Sequence, residues 1–175
     1  VFKFQFLLLA DIEETIPGLK NTQDFVGVNY YTGDLIHLSL FGGIKQMPRD
    51  ELEKTDLNWD IDPEGFRTVL KNVALKFPGE TVTITENGLA DATDAKRPRY
   101  LVDHLRVVHD MIQSGQKIDG YCYWSLMDNF EWIEGFHPRF GLYAVDYATQ
   151  KRTARPSALL FGEIAKTGQL PLKSK

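Results

Sequence analysis

The sequence predicts an α/β fold in which strands and helices alternate to form a parallel β-sheet. Three strand patterns, each later followed by a helical pattern, are found along the 175 residues. The strand patterns are short and bounded by Gly, Pro, Asn or Asp, whereas the helical patterns carry apolar residues at steps of three and four. Alternation of this kind is typical of parallel sheets, in which a helix connects neighbouring strands.

The composition is typical of a soluble globular protein, in length one domain or part of a larger one. Hydrophobic residues make up 43%, charged residues 25% and aromatic residues 12% of the chain. A formal net charge of −4 favours neither nucleic acid nor an anionic membrane as a partner. The single cysteine, Cys122, lies in an apolar run, so we expect a buried thiol, no internal disulfide and a reducing, cytoplasmic compartment.

The chain begins with an apolar stretch, Val1–Ala10. This stretch is too short to span a membrane and lacks the small-residue cleavage pattern of a signal peptide before Asp11. We therefore expect residues 1–15 to be the remnant of a preceding element. A short exported leader is the alternative interpretation.

The first predicted strand is Asp24–Thr32. Its period of two places Asn29 and Tyr31 on one face and Val28 and Tyr30 on the other. This alternation predicts that one face packs while the other meets a polar ligand. Polar side chains that simply face water would give the same pattern.

A long connection, Leu35–Asn58, follows and is predicted to be irregular, functional or mobile. The next helix is expected to begin at Asp62, a good N-cap, with Pro63 in the first helical position. It should end at Pro78. Its predicted buried stripe consists of Phe66, Leu70, Val73 and Phe77.

The second predicted strand, Val82–Thr85, ends at Glu86. A carboxylate at the C-terminal end of a strand is fixed by the sheet, and in a strand–helix barrel it faces the catalytic mouth. The following Asn87-Gly88 pair would also suit a type I′ hairpin turn. We disfavour the hairpin because a helical pattern follows, and Glu86 is therefore a candidate catalytic residue.

The second helix is predicted between Asp94, as its N-cap, and Gly115. The third strand is expected over Ile118–Leu126, and the last helix runs from about Pro156 to near Gly168. The apolar stripe predicted for the second helix is Leu101, Leu105, Val108 and Ile112.

No metal or cofactor is predicted. His104 and His109 lie on the second helix with a spacing that is not a metal signature, so we expect them to be surface or packing residues. His137 is expected to be structural.

Aromatic and charged residues are concentrated in the connection Met127–Tyr143, at the same end of the sheet as Glu86. Carboxylates beside Trp faces suit a sugar, because their oxygens accept hydroxyl protons while the sugar ring stacks on the indole. The alternative is an aromatic cap that closes the end of the fold, with carboxylates on the surface.

Three segments, in this order, resemble glycoside hydrolase family 1, the β-glucosidase family: Asn29–Thr32, Ile84–Gly88 and Trp124–Trp132. Arg139–Leu142 and Val145–Tyr147 extend the resemblance, which covers about residues 16–168. The family fold is a (β/α)8 TIM barrel and its mechanism is retaining. The resemblance implies that residues 1–175 are a single partial domain, the C-terminal part of that barrel, about strands six to eight with their helices.

The resemblance implies that Glu86 is the nucleophile that forms the glycosyl-enzyme intermediate. It implies that Tyr31 hydrogen-bonds this carboxylate and that Asn29 lies near it in the glycone site. These two residues are also the pair that strand alternation places on one face.

The resemblance also implies sugar-binding roles in the long aromatic connection. Trp124 would be the platform under the sugar ring, and Glu131 would accept its distal hydroxyls. Trp132 would lie beside Glu131, and Phe140 would wall the pocket. An alternative pairs Glu86 with Glu131 as two catalytic carboxylates, although the family pattern gives Glu131 a binding role.

The family's acid/base glutamate lies in an Asn-Glu-Pro motif, which does not occur in this sequence. Retaining hydrolysis needs two carboxyl groups about 5–5.5 Å apart, and a full barrel takes about 250 residues. The resemblance therefore implies an enzyme part that acts on a β-glycoside or oligosaccharide, with an N-terminal half-barrel chain or self-association completing it. The rival interpretation is a non-catalytic partial barrel that serves as a carbohydrate-binding or scaffold module.

Overall fold

The computed structural model describes residues 16–18, 22–39 and 43–171, so the prediction for residues 1–15 lies outside the described residues. The elements in chain order are β1 (Val26–Tyr30), β2 (Leu35–Ser39), β3 (Gly43–Met47), α1 (Pro63–Lys76), β4 (Val82–Asn87), α2 (Arg97–Gln113), β5 (Ile118–Tyr123), a short 3-10 helix (Trp132–Glu134), β6 (Tyr143–Val145), β7 (Arg152–Ala154) and α3 (Pro156–Thr167).

The predicted parallel sheet is confirmed, with the strand order β1-β4-β5. Both strand pairs are parallel, and α1 and α2 form the two crossovers. Tyr30, Asn87 and Tyr123 are register partners across the sheet, so the three strands end at one level. The hairpin alternative at Asn87-Gly88 is wrong, because β4 pairs with β5 only after the intervening helix.

The core lies between one face of this sheet and the helices. Val28 and Tyr30 of β1 and Ile84 of β4 pack in one buried cluster with Phe66 and Leu70 of α1. The face predicted to pack is therefore the one that does. The opposite face of β1, which carries Asn29, is exposed.

Helix α1 begins as predicted, because Asp62 Oδ1 accepts the backbone N–H of Gly65 at 2.8 Å. The helix ends at Lys76, so the predicted last member of its stripe, Phe77, lies beyond the final turn and is 37% exposed. Phe77 has the apolar character and the spacing of the stripe, but it is not buried because the helix ends before it.

Helix α2 corrects the prediction for Asp94. The helix begins at Arg97. Asp91, not Asp94, accepts the backbone N–H groups at its start, because Asp91 Oδ2 accepts those of Lys96 and Arg97 at 2.8 and 3.0 Å. Asp94 instead accepts the N–H and hydroxyl of Ser157, at the start of α3, at 2.9 and 2.6 Å.

The buried face of α2 also differs from the predicted stripe. Ile112 is 43% exposed and Leu105 is only partly buried. Residues with polar atoms, which a purely apolar count omits, form much of the buried face. That face comprises Arg97, Tyr100, Leu101, His104, Val107, Val108 and Met111.

Three further details differ from the sequence predictions. The connection predicted to be irregular contains the antiparallel pair β2–β3, in which Ile36 is opposite Gln46. Strand β5 ends at Tyr123 rather than Leu126. Cys122 is exposed, not buried, because it lies on a strand whose apolar neighbours face the helices.

Helix α3 matches its prediction, ending before Gly168, which adopts the left-handed conformation with φ of 67°. Among the described residues, no helix combines the length and apolar character needed to cross a membrane.

Candidate active site

The ends of β1, β4 and β5 bring together the residues that the sequence singled out. Tyr31 directly follows β1, Glu86 is the penultimate residue of β4, and Trp124 directly follows β5. Tyr31 Oη donates a hydrogen bond of 2.6 Å to Glu86 Oε2. The tyrosine and carboxylate that lie 55 positions apart in sequence are therefore in direct contact.

Tyr31 is held as a neutral donor. Burial raises the pKa of its phenol far above the ordinary value, and the hydrogen bond to Glu86 together with the charges of Glu86 and Glu131 raises the pKa further. A neutral phenol at neutral pH has one proton to donate, and Glu86 receives it.

Asn29 lies on the same face but does not contact Glu86 through any hydrogen bond within the described residues. Its Oδ1 accepts the hydroxyl of Thr85 at 2.6 Å, which links β1 to β4 one step before Glu86. The Asn29 side chain is exposed on this face of the sheet.

Two aromatic rings, those of Trp59 and Phe140, pack around Tyr31. Tyr31 lies edge-on to Phe140, with ring centroids 6.1 Å apart, and also to Trp59, at 5.9 Å. Trp59 and Phe140 are 6.2 Å apart. Phe140 is buried beside Tyr31.

Trp59 was missed by the sequence analysis. It lies at the end of the long connection, between Asn58 and Asp60. The signal that identified the later connection, a Trp beside a carboxylate, is also present here and could have identified it.

Trp124 and Glu131 are joined directly, because the indole Nε1–H donates to Glu131 Oε1 at 3.0 Å. Glu131 begins a tight turn in which its N–H donates to the carbonyl of Gly135 at 2.7 Å. Trp132, the next residue, is 81% exposed and makes no ring contact with the other site aromatics among the described residues.

The aromatic connection is held in place by a buried carboxylate that the sequence analysis did not assign a role. Asp128 accepts two hydrogen bonds from Arg155, at 2.9 and 3.0 Å, and others from the N–H groups of Gly141 and Val145, at 3.0 and 3.2 Å. A charge-assisted, bidentate pair of this kind fixes both position and orientation. It keeps Phe140, next to Gly141, against Tyr31.

A pocket of about 400 Å³ opens beside Trp59. Its cationic side chains are paired, since Arg49 donates to Asp62 at 2.6 Å and Lys54 contacts Asp60. The pocket is lined by Thr32, Asp34, Gln46, Met47, Pro48, Arg49, Asp50, Lys54, Asn58, Trp59 and Asp60.

Two histidines lie on α2. His104 is fully buried against Tyr100, with ring centroids 3.8 Å apart, and His109 is exposed, so packing and surface positions are both confirmed. Among the described residues, no group of three or more His, Cys, Asp or Glu side chains is arranged to hold a metal.

The chain is similar in sequence to known proteins over most of its length. The chain is 39% identical over 164 residues to the β-galactosidase of Sulfolobus acidocaldarius, covering 87% of this chain and 33% of that protein. It is 37% identical over 173 residues to β-glucosidase A of Thermotoga maritima, covering 93% of this chain and 39% of the relative. The chain thus spans about a third of the length of the curated relatives that it matches.

Solved structures give the same result. The β-glucosidase of Thermotoga maritima in complex with azafagomine superposes with a TM-score of 0.80 at 39% identity, over 85% of this chain and 36% of the other. The structure described here is therefore part of a TIM barrel. The family model for glycosyl hydrolase family 1 matches residues 7–170. The chain belongs to glycosyl hydrolase family 1.

Proposed function

We propose that this chain is the C-terminal part of a retaining, β-glucosidase-like glycosidase and that it contributes the nucleophile and the glycone-binding residues. The observation that carries the proposal is the 2.6 Å hydrogen bond from Tyr31 to Glu86 at the common end of β1 and β4. Similarity to named β-glucosidases and β-galactosidases supports the substrate class, terminal β-linked sugars.

In the proposed reaction, a carboxylate oxygen of Glu86 attacks the anomeric carbon while the bond to the leaving-group oxygen breaks. The leaving oxygen takes a proton from an acid/base glutamate that this sequence does not contain. Water, deprotonated by the same group, then cleaves the glycosyl-enzyme ester and restores the Glu86 carboxylate. Tyr31 orients the carboxylate, because its high pKa keeps it a hydrogen-bond donor throughout.

The glycone is proposed to bind over Trp124, with Glu131 accepting hydroxyl protons. The Trp124 Nε1–H already occupies one lone pair of Glu131, which fixes the carboxylate and leaves its other oxygen for the sugar. Exposed Trp132 supplies a second indole face, while Phe140 and Asn29 border the site.

Within the whole barrel we assign β1, β4 and β5 to strands six, seven and eight. A segment with the first five strands would supply the Asn-Glu-Pro glutamate, either as an N-terminal half-barrel chain or as other parts of a longer protein. We call the assembly of that segment with this chain the completed barrel. The cytoplasmic localisation expected from the single cysteine stays a prediction.

The test is covalent labelling of the completed barrel. A slow 2-fluoroglycoside should trap the intermediate, and peptide mass mapping should place the label on Glu86. Glu86→Gln should retain sugar binding but lose several orders of magnitude in turnover, because a carboxamide is a very poor nucleophile. Glu163→Gln, an exposed change on α3, should behave as the unsubstituted protein.

A label on Glu131 would contradict the proposal and favour the pairing of Glu86 with Glu131 as the catalytic carboxylates. Sugar binding without any label or turnover would favour the carbohydrate-binding module instead.

A further inference from the structure

We propose that Asn87 is a positioning residue that holds Glu86 and Tyr31 in the geometry needed for glycosyl transfer. This inference rests on the proposed function, in which Glu86 is the nucleophile. The Asn87 side chain does not touch the site itself. It is fully buried on the other side of the strand, facing the helices.

The Asn87 side chain uses three hydrogen-bonding positions at once. Its Nδ2 donates to the carbonyl of Tyr30 at 2.7 Å and to Tyr100 Oη at 2.8 Å. Its Oδ1 accepts the hydroxyl of Tyr121 at 2.6 Å. A single buried side chain thereby joins the ends of β1 and β4 to β5 and α2.

Asn87 is also connected to the chain at or next to each of the three site residues. Asn87 follows Glu86 in the chain, and the carbonyl that it holds belongs to the residue before Tyr31. Its backbone carbonyl also accepts the N–H of Trp124 at 3.0 Å. Asn87 is therefore bonded to the chain beside all three functional side chains at the strand ends.

Strand β4 needs such an anchor because its alternation breaks just before Glu86. Ile84 faces the helices, so a regular strand would turn residue 86 toward the helices as well. The register instead shifts between Ile84 and Asn87, and Glu86 meets Tyr31 while Asn87 takes the buried side. The three hydrogen bonds of Asn87 hold the strand in this irregular conformation.

Asparagine is suited to this position because the surroundings offer two acceptors and one donor. Aspartate has the same shape but cannot donate twice, so Asn87→Asp would set a carboxyl oxygen against the Tyr30 carbonyl. The expected consequence is a small displacement of Glu86 relative to Tyr31. A misplacement of about 1 Å can reduce a rate about 100-fold.

The test measures inactivation of the completed barrel by a 2-fluoroglycoside, which separates binding of the reagent from formation of the glycosyl-enzyme bond. Asn87→Asp should lower the first-order inactivation constant about 10- to 100-fold and change the dissociation constant of the reagent by less than about threefold. The matched control Asn72→Asp makes the same change on an exposed turn of α1 and should alter neither constant.

A second control separates positioning from stability. Leu70→Ala removes a buried side chain of α1 that belongs to the core cluster and makes none of the hydrogen bonds of Asn87. It should lower the melting temperature, because it leaves a cavity in the core, while leaving the inactivation constant of the folded protein within about twofold. Substitution of a positioning residue should instead lower the inactivation constant of the folded protein, whatever its effect on the melting temperature.

Tyr121→Phe provides the milder variant if Asn87→Asp does not fold. It removes only the donor to Asn87 Oδ1 and should lower the same inactivation constant by a smaller factor. An unchanged inactivation constant in the folded variant would overturn the inference. So would an inactivation constant no lower than that of Leu70→Ala when the two variants are equally stable. If the unsubstituted protein is not labelled on Glu86, the proposed function fails and the inference with it.

Discussion

At the scale of single residues, Glu131 makes two kinds of interaction. It accepts a hydrogen bond from the Trp124 indole, and it is proposed to accept hydrogen bonds from sugar hydroxyls. Glu131→Ala should therefore weaken sugars that carry those hydroxyls far more than their deoxy analogues. A lost charge-assisted hydrogen bond is worth about 1.5–3 kcal/mol, which is about 10- to 150-fold in affinity. Inhibition constants of parent and deoxy sugars measure this difference. Glu134→Ala, an exposed neighbour, is the control, and equal losses for both sugars would remove the binding role.

The contrast between what the sequence predicted and what it missed is clearest at this scale. Strand alternation correctly placed Asn29 and Tyr31 on the face away from the packed core. The hub role of Asn87 could not be predicted, because regular alternation assigns residue 87 to the wrong face. The role of Asp128 depends on Arg155, and a partner 27 positions away is found only when the chain has folded.

At the scale of elements, Asp94 connects the start of α2 to the start of α3. It caps α3 through Ser157 and also pairs with the fully buried Arg97, whose other partners include the hydroxyl of Tyr123 at 2.9 Å. Although burial lowers the pKa of Arg97, the nearby Tyr123, Asp94 and Asp91 raise it on balance, so the guanidinium stays charged.

Asp94→Asn should be strongly destabilising, because it leaves a buried cation short of its counter-charge. Breaking a buried pair by removing one partner is worth about 3–5 kcal/mol. Denaturant unfolding of the completed barrel would measure the loss. Asp103→Asn on α2, a partly buried carboxylate, should change stability by a few tenths of a kcal/mol or about 0.5 at most. A similar small effect at Asp94 would mean that the α2–α3 connection is not held by this pair.

Helix α2 also carries a buried histidine that gives stability a pH dependence. Burial lowers the pKa of His104 from 6.5 to about 4, although the backbone contact with Tyr100 and the charge of Asp62 raise it. Its Nε2 is buried without a hydrogen-bond partner in the described part of the chain, so the protonated ring would be a poorly compensated charge.

The direction of this pH dependence is set by the state that binds the His104 proton more tightly, which is the unfolded chain. Below pH 6.5 the unfolded chain protonates His104 while the folded chain does not, so stability that is complete above pH 6.5 is lost as the pH falls toward 4. The loss is on the order of 3 kcal/mol. His104→Phe should flatten the unfolding free energy across this window, whereas His109→Phe on the exposed face should not. An unchanged slope in His104→Phe would assign the acid sensitivity to other groups.

At the scale of the whole molecule, the sheet is open. The strand order β1-β4-β5 leaves one edge of β1 and one edge of β5 without a strand partner among the described residues. The face that carries Asn29 and Cys122 is exposed, although in a TIM barrel the corresponding face lines the interior. Burial worth about 25 cal/mol per Å² of apolar surface is therefore missing from this face within the described residues.

We therefore expect residues 1–175 alone to self-associate and to show no appreciable aryl-β-glucosidase activity, because unpaired strand edges template further pairing and the acid/base glutamate is lacking. Adding a segment with the first five strands should restore both a monodisperse species and turnover. Sedimentation measures the first effect and aryl-glucoside hydrolysis measures the second.

The Cys122 thiol reports assembly directly, since its reaction with a disulfide reagent should slow when the barrel closes over it. Glu86→Gln in the same mixture should slow this thiol reaction equally while remaining inactive, which separates assembly from catalysis. A monomer of residues 1–175 that hydrolyses the substrate unaided would contradict the assigned need for a second carboxyl group from outside this chain.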